Sequence, residues 1–400
     1  MSRPGPRAAA GLLALLVLVA CAGRRVPVPG PRSATPTVRC KLAAADELLR
    51  TGKDDEALAV YAEAVIENPA SVPAHLHYVS TLCALGRRSE ARSVYRERAA
   101  RPAASDVERT MAARLETDGS SSALRRVYAL ASERTPDSPW WRLAMAEVEI
   151  AEASAWNRRR VDAVDRGDRE EERRALAQAR GALERAARAL ERAQASGPGL
   201  AEIDLYRGHL RAVEGDVLPG AVGSKAAYAA AASAFRRAAS RDPDLVEAWE
   251  GLGEVQLRTG DTKASLEAYL EAARRSPADA RLRVAVGVVL QRIERYGEAA
   301  EQYREAARLA PNDPGPWEHL GDAYAGDEKW DEALDAYAQA LRRDAAVVDA
   351  HYRRATILEH IGRLGEARAE YELYLSQGGD RESTVRRRVE RLLRAQEPRR

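Results

Sequence analysis

The sequence predicts an all-α chain, a solenoid of about nine helix-turn-helix units closed by a C-terminal capping helix. Three observations carry this. Residue types recur every 34 positions between Val246 and Leu375: Gly253, Gly287, Gly321 and Ala355 form one column, and Tyr269, Tyr303, Tyr337 and Tyr371 another. The 400 residues are rich in Ala, Arg, Glu and Leu, all good helix formers, with a single Phe, Phe235, and little valine–isoleucine alternation. Pro277 and Pro311 stand at the same place in successive units, where each ends a second helix by withholding a backbone donor.

Further columns keep the same period. Leu252, Val286 and Leu320 form one, Ser265, Ala299, Ala333 and Ala367 a second, and Ala272, Ala306 and Ala340 a third. A glycine inside a helix costs roughly 1 kcal/mol against alanine, which is tolerable where its bare backbone lets a neighbouring helix approach. The small-residue column does the same for the second helix, and the tyrosines are expected to fill the gap between successive units. This set of columns resembles the tetratricopeptide repeat, or TPR. The resemblance implies a superhelical solenoid whose first helices line a concave groove that holds a peptide or extended segment.

The chain starts with Arg3 and Arg7 before an apolar run from Ala8 to Ala20, interrupted only by Gly11. Residues 1–20 read as a signal peptide, since the run is too short for a stable transmembrane helix. The sequence Leu18-Val19-Ala20-Cys21 resembles the bacterial lipobox, which implies lipidation of Cys21 and palmitate-type anchoring by two or more acyl chains. Ala22 and Gly23 follow where an inner-membrane retention signal would place Asp, so the resemblance points to the outer membrane, facing the periplasm. Residues 21–37 carry Pro27, Pro29, Pro31 and Pro36 and read as a semi-rigid tether.

Residues 38–138 read as three degenerate units. Ala45, Tyr61 and Pro69 fall on the columns in the first, Gly86, Ala91 and Tyr95 in the second, and Tyr128, Ala131 and Pro136 in the third. In residues 139–244 the register breaks. A helix from Trp140 to about Arg160, a charged turn at Asp165–Asp168 and a helix from Glu170 to Ala195 read as one lengthened unit. Ala186, Leu190, Ala193 and Pro198 restore the columns there. The next unit has Gly208 and Gly215 in its first helix, an extra loop from Asp216 to Ser224, and Ala231, Phe235, Ala238 and Pro243 in its second. Residues 245–380 hold the four regular units. In 381–400, Val385, Val389, Leu392 and Leu393 form an apolar stripe opposite Arg386, Arg387, Arg388, Arg391 and Arg394, as a polar-faced capping helix requires.

Formal net charge is +2, so no global basic field recruits nucleic acid. The three cysteines, Cys21, Cys40 and Cys83, have no metal spacing. Cys40 and Cys83 fall about 13 Å apart along parallel helix axes at 1.5 Å per residue, beyond the ~7 Å Cα limit of a disulfide. Gly220-Ala221-Val222-Gly223-Ser224-Lys225 echoes a phosphate loop but lacks G-K-[ST] and a preceding strand. His75 and His77 sit two apart, on different sides of a helix, and His351 and His360 have no third ligand. No catalytic, metal or cofactor constellation emerges.

The surface therefore carries the functional reading. On the groove positions that the resemblance implies, Glu250 and Glu254 share a face one helical turn apart, Val284 and Val288 follow in the next unit, Glu318 and Asp322 in the third, and Tyr352 in the fourth. These acids are opposite in sign to the residues of TPR carboxylate clamps. They lead to the expectation of a protein or peptide segment with basic ends and an apolar centre. The function expected is a non-catalytic binding scaffold, lipid-anchored in the bacterial envelope and assisting assembly of a machine such as a pilus or secretion system. The alternatives are a soluble cytoplasmic adaptor or co-chaperone, and an enzyme with a site in the irregular 139–244 region.

Overall fold

The computed structural model describes residues 36–218 and 221–396. The signal-like run 1–20, Cys21, most of the proline-rich tether, Pro219–Gly220 and the tail after Gln396 lie outside the described residues, as does the side chain of Cys40. Among the described residues there are 19 helices and no strand. They pair as nine antiparallel repeats and a final single helix, and they divide into two compact bodies, Met1–Gly251 and Leu252–Arg400.

The first body holds the repeats α1 (Pro36–Arg50) with α2 (Asp54–Glu67), α3 (Val72–Ala84) with α4 (Arg88–Ala99), and α5 (Asp106–Glu116) with α6 (Ser121–Arg134). It continues with α7 (Trp140–Arg166), α8 (Arg169–Ser196), α9 (Ala201–Val217) and α10 (Ala221–Arg241). The division between the bodies falls inside α11 (Val246–Thr259). The second body continues with α12 (Thr262–Arg275), α13 (Ala280–Arg292), α14 (Tyr296–Leu309), α15 (Gly315–Gly326) and α16 (Trp330–Arg343). It ends with α17 (Val348–His360), α18 (Leu364–Ser376) and the terminal helix α19 (Glu382–Gln396).

The boundaries follow local chemistry. Ser105 caps α5 and Glu108 returns a bond to the Ser105 backbone, a reciprocal pair that satisfies two otherwise orphaned donors. Asp168 caps α8 and Asp261 caps α12. Between the two helices of a repeat the chain turns through a left-handed residue, which is glycine at Gly52, Gly86, Gly119, Gly167, Gly260 and Gly362. At the same place in two repeats stand Glu294 (φ 61°) and Glu328 (φ 57°), which bear the steric cost that glycine avoids.

The glycine and tyrosine columns meet. A Cβ built on Gly287 would come within 2.5 Å of the Tyr303 ring, on Gly321 within 2.6 Å of Tyr337, and on Gly253 within 2.8 Å of Tyr269. Each of these tyrosines thus covers the bare backbone of its own repeat, and Tyr303 also reaches the next, where it stacks on His319 at 5.2 Å between ring centroids. The small column is buried as expected: Ala299, Ala333 and Ala367 have no exposed surface, and the Ser265 hydroxyl donates to the Gly253 carbonyl at 2.7 Å. Phe235 holds the tyrosine place in its repeat, clasped between Gly208 and Gly251.

Two boundaries and one side chain differ from the sequence reading. α7 runs on to Arg166, so that Gly167 alone makes the turn. Its last turns mix Arg158, Arg159 and Arg160 with Asp162, Asp165 and Arg166, which suits a solvated helix face as well as a turn. The expected loop Asp216–Ser224 is mostly helix, because α9 extends to Val217 and α10 starts at Ala221. In α19, Val385 and Leu392 are buried but Leu393 is 43% exposed, one residue past the stripe.

Candidate protein-binding site

In the second body the predicted groove residues lie on first helices. Val284 and Val288 are half-exposed and one turn apart on α13. Val288 belongs to a column, one residue past the glycines, that reads Glu254, Val288, Asp322 and Thr356. Glu254 pairs with Arg258 at 2.8 Å on its own helix. Asp322 accepts from the Tyr337 hydroxyl at 2.5 Å and pairs with Arg353 of the following repeat. Burial pushes the Glu318 carboxyl above its ordinary range, with Arg353 opposing and Asp349, Asp313 and Asp344 reinforcing. Burial also lowers the pKa of the Arg353 guanidinium.

The expected pair of open acidic patches is therefore corrected. The acids at Glu254 and Asp322 are neutralised in place by Arg258 and Arg353, and the half-exposed surface between them is the aliphatic pair Val284 and Val288. Glu250 is half-buried in the first body, so the face of the second body begins at Glu254. Tyr352 is also corrected as an open contact. Arg381 lies 4.5 Å over its ring, Arg388 sits at 5.9 Å, and Tyr371 and Tyr374 pack edge-on or tilted against it. Arg388 further donates to the Tyr371 hydroxyl at 2.7 Å and to Glu359 at 3.3 Å. The terminal helix thus turns one of its arginines inward, where the sequence reading placed all of them on the solvent side.

In the first body the corresponding column reads Asp46, Ser80 and Arg114. The Tyr61 hydroxyl donates to Asp46, and His77 of the next repeat stands 3.4 Å from the same carboxylate. Arg114 donates to Ser80 at 3.2 Å. Glu147 follows on α7, accepting from the Tyr206 hydroxyl at 3.0 Å, and burial pushes its carboxyl up to about 7. Deeper in α7, Glu149 is buried between Arg125 at 3.2 Å and Arg185 at 2.9 Å. His75 is fully buried, with one ring nitrogen 2.7 Å from the Tyr95 hydroxyl and the other 3.1 Å from the Pro69 carbonyl. His75 therefore serves the packing.

A family profile described as tetratricopeptide repeat matches residues 226–280, 256–314 and 319–382. These units are tetratricopeptide repeats. No curated protein matches the chain in sequence. Among solved structures it is similar to MamA, at 19% identity over 40% of this chain and 96% of that one, with a TM-score of 0.37. It is similar to YrrB, described as a TPR protein with an unusual peptide-binding site, at 18% identity over 50% and 97%, with a TM-score of 0.40. A thermophilic TPR protein from Thermus thermophilus matches at 24% identity over 42% and 91%, with a TM-score of 0.34.

A TPR scaffold is an interaction scaffold, and the chain carries the corresponding feature, first helices with half-exposed side chains at regular intervals. Sequence reasoning missed which TPR side chains are already engaged. The Asp322–Arg353 and Glu359–Arg388 pairs join residues 31 and 29 apart, each reaching from one repeat or cap to its neighbour. A column read along a single helix contains neither partner.

Proposed function

We propose that the chain is a non-catalytic scaffold, held by a lipid on Cys21 at a bacterial envelope membrane, that binds a partner segment on the first helices of its second body. The observation that carries the binding site is the half-exposed pair Val284 and Val288, set between carboxylates that their own arginines neutralise. An aliphatic contact surrounded by satisfied charges favours an apolar anchor with an uncharged or mixed surround. The partner is therefore an extended or helical segment whose apolar side chain covers Val284 and Val288. It does not need basic ends.

The membrane part of the proposal rests on the sequence around Cys21. No described helix is long and apolar enough to cross a membrane. Metabolic labelling with a palmitate analogue tests the anchor: the wild-type chain incorporates label and Cys21→Ser does not. Full labelling of Cys21→Ser refutes lipidation there and leaves the soluble adaptor as the better reading. Assistance to an envelope machine such as a pilus or secretion complex follows from the same anchor and is tested by co-purification from solubilised envelopes.

A further inference from the structure

First-helix side chains form two rows along the second body. One row, Glu254, Val288, Asp322 and Thr356, has its acids matched by Arg258 and Arg353. The other lies one helical turn earlier, at Val284, Glu318 and Tyr352. Its one acid is in a different state. Glu318 makes no hydrogen bond and no ion pair with any described residue, and it is half-exposed, so a partner can reach it.

The cation that acts on Glu318 is engaged elsewhere, since the Arg353 guanidinium pairs with Asp322. Asp349, half-exposed in the first turn of α17, likewise has no hydrogen bond or ion pair among the described residues, and it repels Glu318. Asp313 and Asp344 add to the repulsion, while their own side chains accept from the backbone amides of Gly315 at 2.9 Å and Ala346 at 2.8 Å. Arg381, which acts on Arg353, is matched by Asp380 at 3.8 Å and covers the Tyr352 ring. On the first helices, Glu318, Asp322 and Asp349 therefore share the one guanidinium of Arg353. A carboxylate partly withdrawn from water with no donor is costly, and an incoming cation relieves that cost.

Val284 holds the equivalent place on α13, also half-exposed, so apolar surface and unpaired carboxyl lie side by side. Helices α13 and α15 approach each other directly. Packed helix axes lie roughly 8–10 Å apart. Partner side chains resting on Val284 and on Glu318 are then about three residues apart in an extended chain at ~3.3 Å per residue.

We propose that Glu318 is a specificity-determining residue of the Val284 and Val288 surface, receiving a lysine or arginine about three residues from the apolar anchor of the partner segment. The inference rests on that surface and adds one asymmetric feature to it, a single cation on the α17 side of the anchor. The flank at Glu254 asks for none, because Arg258 already fills that place. An ammonium or guanidinium donating to Glu318 makes a charge-assisted hydrogen bond, about twice as strong as a neutral one.

Selection of short random peptides displayed on phage against the intact chain tests it. Peptides enriched on the wild type are expected to pair an apolar residue with Lys or Arg about three positions away. On Glu318→Gln the apolar residue is expected to persist and the basic preference to vanish. On Glu318→Arg an acidic residue is expected in its place, and Glu254→Gln is expected to keep the wild-type preference. Glu318 has no ion pair to lose, so the melting transition of Glu318→Gln is expected to stay in place. In isothermal titration of one enriched peptide, changing its basic residue to glutamine is expected to cost about tenfold in affinity on the wild type and less than about twofold on Glu318→Gln. A basic preference that survives Glu318→Gln, or enriched peptides without one, overturns the role of Glu318 and leaves the apolar surface standing. Val284→Asp separates the two readings. If it leaves enrichment unchanged, or if the wild type enriches nothing, the surface itself is refuted and Glu318 with it.

Discussion

Replacing Gly287 with alanine sets two effects against each other in one residue. Helix propensity favours alanine by about 0.8–1 kcal/mol. The packing opposes it, because the new Cβ would lie 2.5, 2.8 and 2.9 Å from three atoms of the Tyr303 ring. Unstrained carbon contacts sit at about 3.5–4.0 Å, so the overlap approaches 1 Å. The ring has little room to retreat. Tyr303 is fully buried, its hydroxyl is bonded to Gln291 at 3.0 Å, and His319 stacks on it. Overpacking of this kind costs about 1–3 kcal/mol, so Gly287→Ala is expected to destabilise by about 1 kcal/mol net. Gly181 is the control. It lies inside α8, and its Cβ would meet only the end of the Arg185 side chain, at 3.4 Å. Gly181→Ala is expected to stabilise by up to about 1 kcal/mol. Because repeat arrays open locally, the assay is native-state hydrogen exchange resolved to α13–α14 and to α8. If Gly287→Ala raises protection as Gly181→Ala does, the glycine column is not a packing device and the repeat argument fails.

Other consequences can be checked separately. Glu294→Gly and Glu328→Gly relieve left-handed strain of about 1–2 kcal/mol each, partly offset by the entropy glycine adds to the unfolded chain. Each should raise the urea midpoint, and a lower midpoint in both would contradict the turn assignment. Burial lowers the His75 pKa from 6.5 to about 4, so the unfolded chain takes up its proton first as pH falls. The stability this contributes is complete above pH 6.5 and is lost between 6.5 and 4, by about 3 kcal/mol at most. His75→Gln should flatten that part of the acid profile of the first body, and an unchanged slope would show that His75 titrates freely. Ala333→Leu, at a position with no exposed surface, should cost about 1–3 kcal/mol by overpacking. A melting curve identical to wild type would place the register elsewhere.

The repeats were legible in the sequence because their packing is local. A glycine and the ring that covers it are separated by 16 residues within one helix pair, as Gly287 and Tyr303 show, so a column and its partner recur together. The long helices were less legible. Asp162, Asp165 and Asp168 among arginines look alike on a helix surface and in a turn, and only Gly167 adopts the left-handed bend. The candidate site was half legible. First-helix spacing located Val284 and Val288, but the compensation of Asp322 by Arg353 and the cover of Tyr352 by Arg381 are made between repeats.

The central functional claim is that partners meet the first helices of the second body. A photo-crosslinking amino acid placed at Val288, and in a second variant at Leu270, tests it in intact cells. Leu270 lies on the second helix α12 and is 39% exposed, so it samples the other side of a repeat. One discrete crosslinked product is expected from position 288, suppressed when Val284→Asp is added, and none from position 270. The same product from position 270, with none from 288, would contradict it and move the contact to the second helices.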